Sequence, residues 1–134
     1  MDINLPTDCG NAPRIGIVSE FAVSWAQGNA AMVRAGLVEG AALSVAGSKH
    51  AGASSVEEFL RLPFSPESME LYSVITHGRL ASCDGVLRAG DKRLDFSLVF
   101  RFASTSKTAK IAQLRLYCIE SSPRKGRRVD VNGR

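Results

Sequence analysis

A chain of 134 residues with 45% hydrophobic and 22% charged content has enough apolar side chains for one packed core and is not a disordered polymer. Its net charge of +4 belongs to the end: residues 121–134 hold five of the 17 basic and one of the 13 acidic residues, leaving residues 1–120 balanced at 12 of each. A basic nucleic-acid-binding face is therefore not expected. With no run of about 18 apolar residues and no apolar signal core in residues 1–30, neither is a membrane partner, and a cytoplasmic location is expected.

Asn11 is placed to cap a first helix, with Pro13 in its first turn and an apolar stripe of Ile15, Val18, Ala22 and Trp25, widened by Ile17 and Phe21, ending near Gly28. Asn29 caps a second, short helix carrying Met32, Val33 and Ala35, which Gly36 is expected to end through a positive φ. From 41 to 46 the period becomes two, predicting a short strand that stops at Gly47. Two overlapping capping boxes, Ser54 with Glu57 and Ser55 with Glu58, open a third helix, predicted to bury Val56, Phe59, Leu60 and Leu62 and to close at Pro63.

The second half reads as four strands, 69–77, 80–89, 93–103 and 110–120. Gly78-Arg79, Gly90-Asp91 and the stretch 104–107 separate them, and such short connections favour antiparallel hairpins. Phe96, Leu98, Phe100 and Phe102 alternate against Asp95, Ser97, Val99 and Arg101, so one face of that strand is strongly apolar. Helices followed by a long meander predict an α+β fold with the helices covering one side of a sheet. Residues 121–134 read as a basic, disordered tail appended to a domain of residues 1–120.

These residues also resemble a family. Asp8-Cys9-Gly10-Asn11-Ala12-Pro13 before an amphipathic helix, Glu58-Phe59-Leu60, Glu70-Leu71 through Ile75-Thr76-His77-Gly78, and Gly85 in the next strand are, in that order, similar to a bacterial branch of the nuclear-transport-factor-two-like superfamily, also called SnoaL-like. The resemblance spans about residues 8–120. It implies a cone-shaped, cystatin-like α+β barrel: a curved, mostly antiparallel sheet and three N-terminal helices enclosing a small-molecule pocket, with the exposed sheet face available for a homodimer. Its members include isomerases, dehydratases, cyclases and hydrolases as well as binding modules, so fold membership does not choose among them.

Where enzymes with this fold carry acids, the resemblance places Ser44 or its neighbours and Leu98, and neither can move a proton as a carboxylate does. Three catalytic candidates remain: His77, at a strand end; His50, between Gly47 and Gly52; and Asp84, if a bulge around Gly85 turns it inward. Glu39 reads as a loop carboxylate at the pocket rim. Trp25, Tyr72, Phe96, Leu98, Phe100 and Tyr117 are the ligand-binding candidates, the aromatic ones with polar tips able to orient a guest. Cys9, Cys83 and Cys118, odd in number and widely spaced, read as reduced packing thiols. No metal and no cofactor is expected, because neither the histidines nor the glycines have the required spacing.

The leading expectation is a protein that binds a small, largely apolar metabolite in its cone and pairs through its sheet. Two alternatives stand beside it. One is a cofactor-independent isomerase, dehydratase, cyclase or hydrolase using His77, Asp84 or His50 with Tyr117. The other is a non-catalytic scaffold whose cone is filled by its own side chains.

Overall fold

Six strands form one open, curved sheet in the order β1-β3-β4-β5-β6-β2, with three helices on its inner side. The elements are β1 (Asp2–Asn4), α1 (Pro13–Ala26), α2 (Ala30–Ala35), β2 (Leu37–Val45), α3 (Val56–Phe59), β3 (Ser68–His77), β4 (Leu80–Ala89), β5 (Lys92–Phe102) and β6 (Ile111–Ser121). This computed structural model describes residues 1–7, 10, 12–47 and 54–121. Asn11, Cys9, His50 and the tail from residue 122 lie outside the described residues.

Helix α1 starts at Pro13, and Ala12 occupies the capping position without a side-chain bond. The buried stripe of Val18, Phe21, Ala22 and Trp25 follows the expected spacing. Asn29 caps α2 by accepting from the Met32 N–H. Gly36 ends α2 at φ −84° and not in the expected left-handed conformation. Its lack of a side chain serves contact instead, since a Cβ there would stand 3.2 Å from the Phe21 ring. Helix α3 is a single turn, shorter than its apolar residues predicted, and the chain leaves it at Leu60, before Pro63.

The β3–β4–β5–β6 meander is antiparallel, and its two tight turns place Gly78 and Gly90 at φ +59° and +60°, a conformation that suits two-residue hairpins. Two edge features exceed the sequence expectation. Strand β1 pairs in parallel with β3, and β2 runs from Leu37, not Ala41, pairing in parallel with β6. Three apolar-poor residues and a glycine-broken run hid both.

The sheet has three irregularities, one of them between β5 and β6, where Arg101 faces Gln113 and Phe102 faces Ile111, so Ala112 is an extra residue. On β3, Leu71 faces Gly85 and Ser73 faces Asp84, so Tyr72 is an extra residue. There the strands approach so closely that a Cβ on Gly85 would lie 2.1 Å from the Glu70 carbonyl oxygen. On β2, Leu37 faces Ile111 and Ala42 faces Gln113, leaving Val38, Glu39, Gly40 and Ala41 without register partners on β6. Gly40 takes φ +76°, which a residue with a Cβ adopts only at a cost.

The core lies between the helices and the inner sheet face. Leu94, Phe96, Leu98, Phe100 and Phe102 of β5 are all buried, as are Leu114 and Leu116 of β6 and Cys83 and Leu87 of β4. The alternating partners Asp95, Ser97, Val99 and Arg101 take the outer face, as period-two patterning requires.

Candidate functional site

The apolar strand face expected to line a pocket is occupied by the protein itself. The Trp25 ring lies 4.8 Å from that of Phe96, centroid to centroid, and 6.3 Å from that of Phe59. Phe21 meets Phe100 edge-on at 5.6 Å, and Phe100 stacks on Phe102 at 6.0 Å. Trp25 Nε1 donates to the Phe59 carbonyl at 3.1 Å, so its polar tip is bound to backbone. Leu98, at one of the positions where the resemblance would place an acid, is fully buried in the same core. Ser44, the other such position, pairs with Arg115 on the outer face, away from the helices.

Tyr72 and Tyr117 occupy the outer face, 44% and 46% exposed, and not the core. The reason is local: Tyr72 is the extra residue of the β3 bulge, and Tyr117 alternates with buried Leu116. Asp84 also faces outward, half-buried, accepting a hydrogen bond from Ser73 Oγ. The bulge that was to turn it inward lies on the partner strand β3. His77 is exposed at the end of β3, opposite Leu80. Four residues separate it from Ser73, the partner of Asp84, which is about 13 Å of strand. The two catalytic candidates therefore do not meet, and Tyr117 stands beyond Ser97 from Asp84.

A hollow does exist where β2 leaves its ladder. A cleft of about 540 Å³ is lined by Arg34 of α2, Leu37, Val38, Glu39, Gly40, Ala41 and Leu43 of β2, and Ser54 and Val56 beside α3. Of the two capping registers, only Ser55 is used by the described helix: its Oγ accepts from the Glu58 N–H at 3.0 Å. Ser54 is thus left over. Its N–H donates to the Leu43 carbonyl at 2.7 Å, fixing its position, while its Oγ is buried with no hydrogen-bond partner among the described residues. Arg34 pairs with Glu57, tying α2 to α3 at the rim. That guanidinium and a backbone N–H hold the Glu57 carboxyl below its usual range, the backbone bond contributing most. Glu39 is the cleft's exposed carboxylate, and it lies within β2 and not in a loop before it.

Chemically, this cleft offers apolar walls, one buried hydroxyl able to donate or accept, off-ladder peptide groups and a carboxylate within the same lining. Sequence reading missed Ser54 because a capping box explains both serines equally well. Gly40 between Glu39 and Ala41 was the available signal, since an isolated glycine in a strand marks a bulge. The thiols are poorly suited to nucleophilic work. Burial, with Asp84 nearby, pushes Cys83 up to about 12, and burial pushes Cys118 up to about 11. Among the described residues no three His, Cys, Asp or Glu side chains group to hold a metal ion, and no helix is long and apolar enough to cross a membrane.

Solved structures share this architecture. An NTF2-like protein of unknown function from Burkholderia xenovorans superimposes with a TM-score of 0.60 at 12% identity, over 86% of this chain and 87% of that one. A second, from Cytophaga hutchinsonii, gives 0.56 at 12% identity over 84% and 95%. A "putative ketosteroid isomerase" from Kribbella flavida gives 0.58 at 11% identity over 91% and 88%. No protein-family model matches the chain, and no curated protein matches it in sequence. The chain has the NTF2-like fold, in agreement with the resemblance read from its motifs.

Proposed function

We propose that this protein binds a small, largely apolar organic molecule, and that the molecule sits in the β2–α3 cleft and not against the aromatic face. The observation that carries this reading is the Ser54 hydroxyl, buried and without a hydrogen-bond partner among the described residues, on the lining of a cleft that also presents Leu37, Val38, Leu43 and Val56. An unmet buried hydroxyl costs about 1–3 kcal/mol, which a guest with one polar group would recover. The cleft's volume lies within the usual range for ligand sites. Proton-transfer chemistry on such a guest would fall to Glu39, the carboxylate on the same lining.

The outer sheet face supports a homodimer in this reading. Tyr72, Ile75, Tyr117 and Ile119 present apolar surface there, from 44% to 71% exposed. Native mass spectrometry of the protein as purified tests both parts: a dimer carrying an organic adduct is expected. Ala41→Trp, which fills the cleft, should remove the adduct and leave the dimer, whereas Ile119→Glu should split the dimer. An adduct retained by Ala41→Trp would refute the cleft.

The second reading is an interaction scaffold with a self-filled cone, favoured by the ring contacts among Trp25, Phe96 and Phe100. A ligand-free dimer, with Glu39→Gln and Ser54→Ala indistinguishable from the parent in every binding measurement, is its expected signature.

A further inference from the structure

A separate groove of about 280 Å³ runs between α1, α2 and the β5–β6 connection. Its floor is apolar: Ile17 and Phe21 of α1, Met32 of α2, Phe102 and Ile111. Met32 is 54% exposed. The rim is charged, with Lys107 and Lys110 on one side and Glu20 on the other. Among the described residues, neither lysine makes an ion pair.

The lysine-bearing loop is held in place from beneath. Arg14, only 8% exposed, donates from Nη2 to the Ser106 carbonyl at 2.8 Å, and its guanidinium lies 3.9 Å above the Phe102 ring. Ser106 and Thr108 hydroxyls bond at 3.0 Å, the Ala109 N–H reaches the Ser106 carbonyl at 3.0 Å, and the Ala103 N–H reaches the Lys110 carbonyl at 2.8 Å. Nε and Nη1 of Arg14 are buried without hydrogen-bond partners, and no carboxylate pairs with it among the described residues. A buried cation without a counter-charge among the described residues is costly, and Arg14 holds the loop that carries Lys107 through the Ser106 carbonyl. Two lysines against one carboxylate in the lining make this end of an apolar groove complementary to a negative charge.

We infer that the groove binds an anionic amphiphile: a carboxylate with a short apolar tail, the tail lying on Phe21, Met32 and Phe102 and the carboxylate reaching Lys107 and Lys110. The volume, just under the usual range for ligand pockets, limits the tail to a single short chain or one ring. This site shares no lining residue with the β2–α3 cleft, so the two inferences stand or fall separately.

The test is titration of the isotope-labelled protein with octanoate and, separately, with octyltrimethylammonium, followed by amide chemical shifts. Saturable octanoate shifts are expected at Ile17, Met32 and Thr108 to Ile111, with the cationic probe at least tenfold weaker. The double variant Lys107→Gln/Lys110→Gln should weaken octanoate about tenfold, the size two exposed ion pairs can supply, and added salt should do the same to the parent. Equal affinity for both probes, an unaffected double variant, or shifts centred on Val38 to Leu43 would each overturn the assignment.

Discussion

The irregularities on β3 and on β2 have opposite consequences. At the β3 bulge, the chain closes on its neighbour until Gly85 has no room for a Cβ, and the inner side beneath it, Phe96 against Trp25, is solid. At the β2 bulge, Gly40 has open space around it, with nothing within 4 Å of a built Cβ, and the inner side beneath is a cleft. One glycine is required by contact, the other by its backbone angle. The β3 bulge is held against β4 by helix α1, which packs on both strands, while β1 pairs with β3 only as far as Glu70. On the edge strand β2, four consecutive residues leave the ladder, so the extra backbone stands away and a hollow remains.

This contrast can be broken most forcefully at the closed site. Phe96→Ala should cost about 3–5 kcal/mol in urea unfolding, because packed neighbours cannot collapse into the space. A loss below about 1 kcal/mol would show that the aromatic face is loosely filled after all. Gly85→Ala, which sets a methyl group against a backbone oxygen, should cost about 3 kcal/mol by the same measurement. Gly40→Ala meets no steric contact and should cost only about 1–2 kcal/mol, from the left-handed φ alone. Equal losses at the two glycines would erase the distinction between them.

Smaller effects sharpen the open site. Ser54→Ala removes a hydroxyl that no group satisfies, and should leave stability unchanged or raise it by about 1 kcal/mol, while a bound guest's affinity falls. The smallest expected effect is electrostatic, on the outer face. Two hydrogen bonds at 2.9 Å from Arg93 hold the Asp95 carboxyl below its ordinary range. A lowered folded value means the contribution is present above the unfolded carboxylate value and is lost as pH falls through the folded one. Asp95→Asn should therefore flatten the stability profile below about pH 4, slightly, since the pair is partly exposed and screened. An unchanged profile would mean the pair contributes nothing to folding.

Much of the architecture was legible before any coordinates. The 80–89 strand matches β4 at both ends, and the other three long strands match within about one residue at each end, because period-two patterning and glycine turns are local signals. The Phe-rich face was correctly read as apolar. Whether it enclosed a hollow was not legible, since that depends on how far α1 settles toward β5. Tyr72 and Tyr117 show the same limit: a residue inserted by a bulge, or one step out of phase, changes faces without any change in composition.

Composition, charge balance and periodicity alone decided that this chain folds as α+β, with three helices, a meander and an apolar inner face, because each follows from interactions within a few residues. The rest came from long-range packing. Trp25 and Phe59 are 34 residues apart, and their bond helps close the cone. The Ser54 hydroxyl has no partner among the described residues, because Ser55 takes the cap while the Ser54 N–H is fixed on the Leu43 carbonyl. No local pattern encodes which of two serines faces a cavity. That is settled only when β2, α3 and β6 compete for the same space.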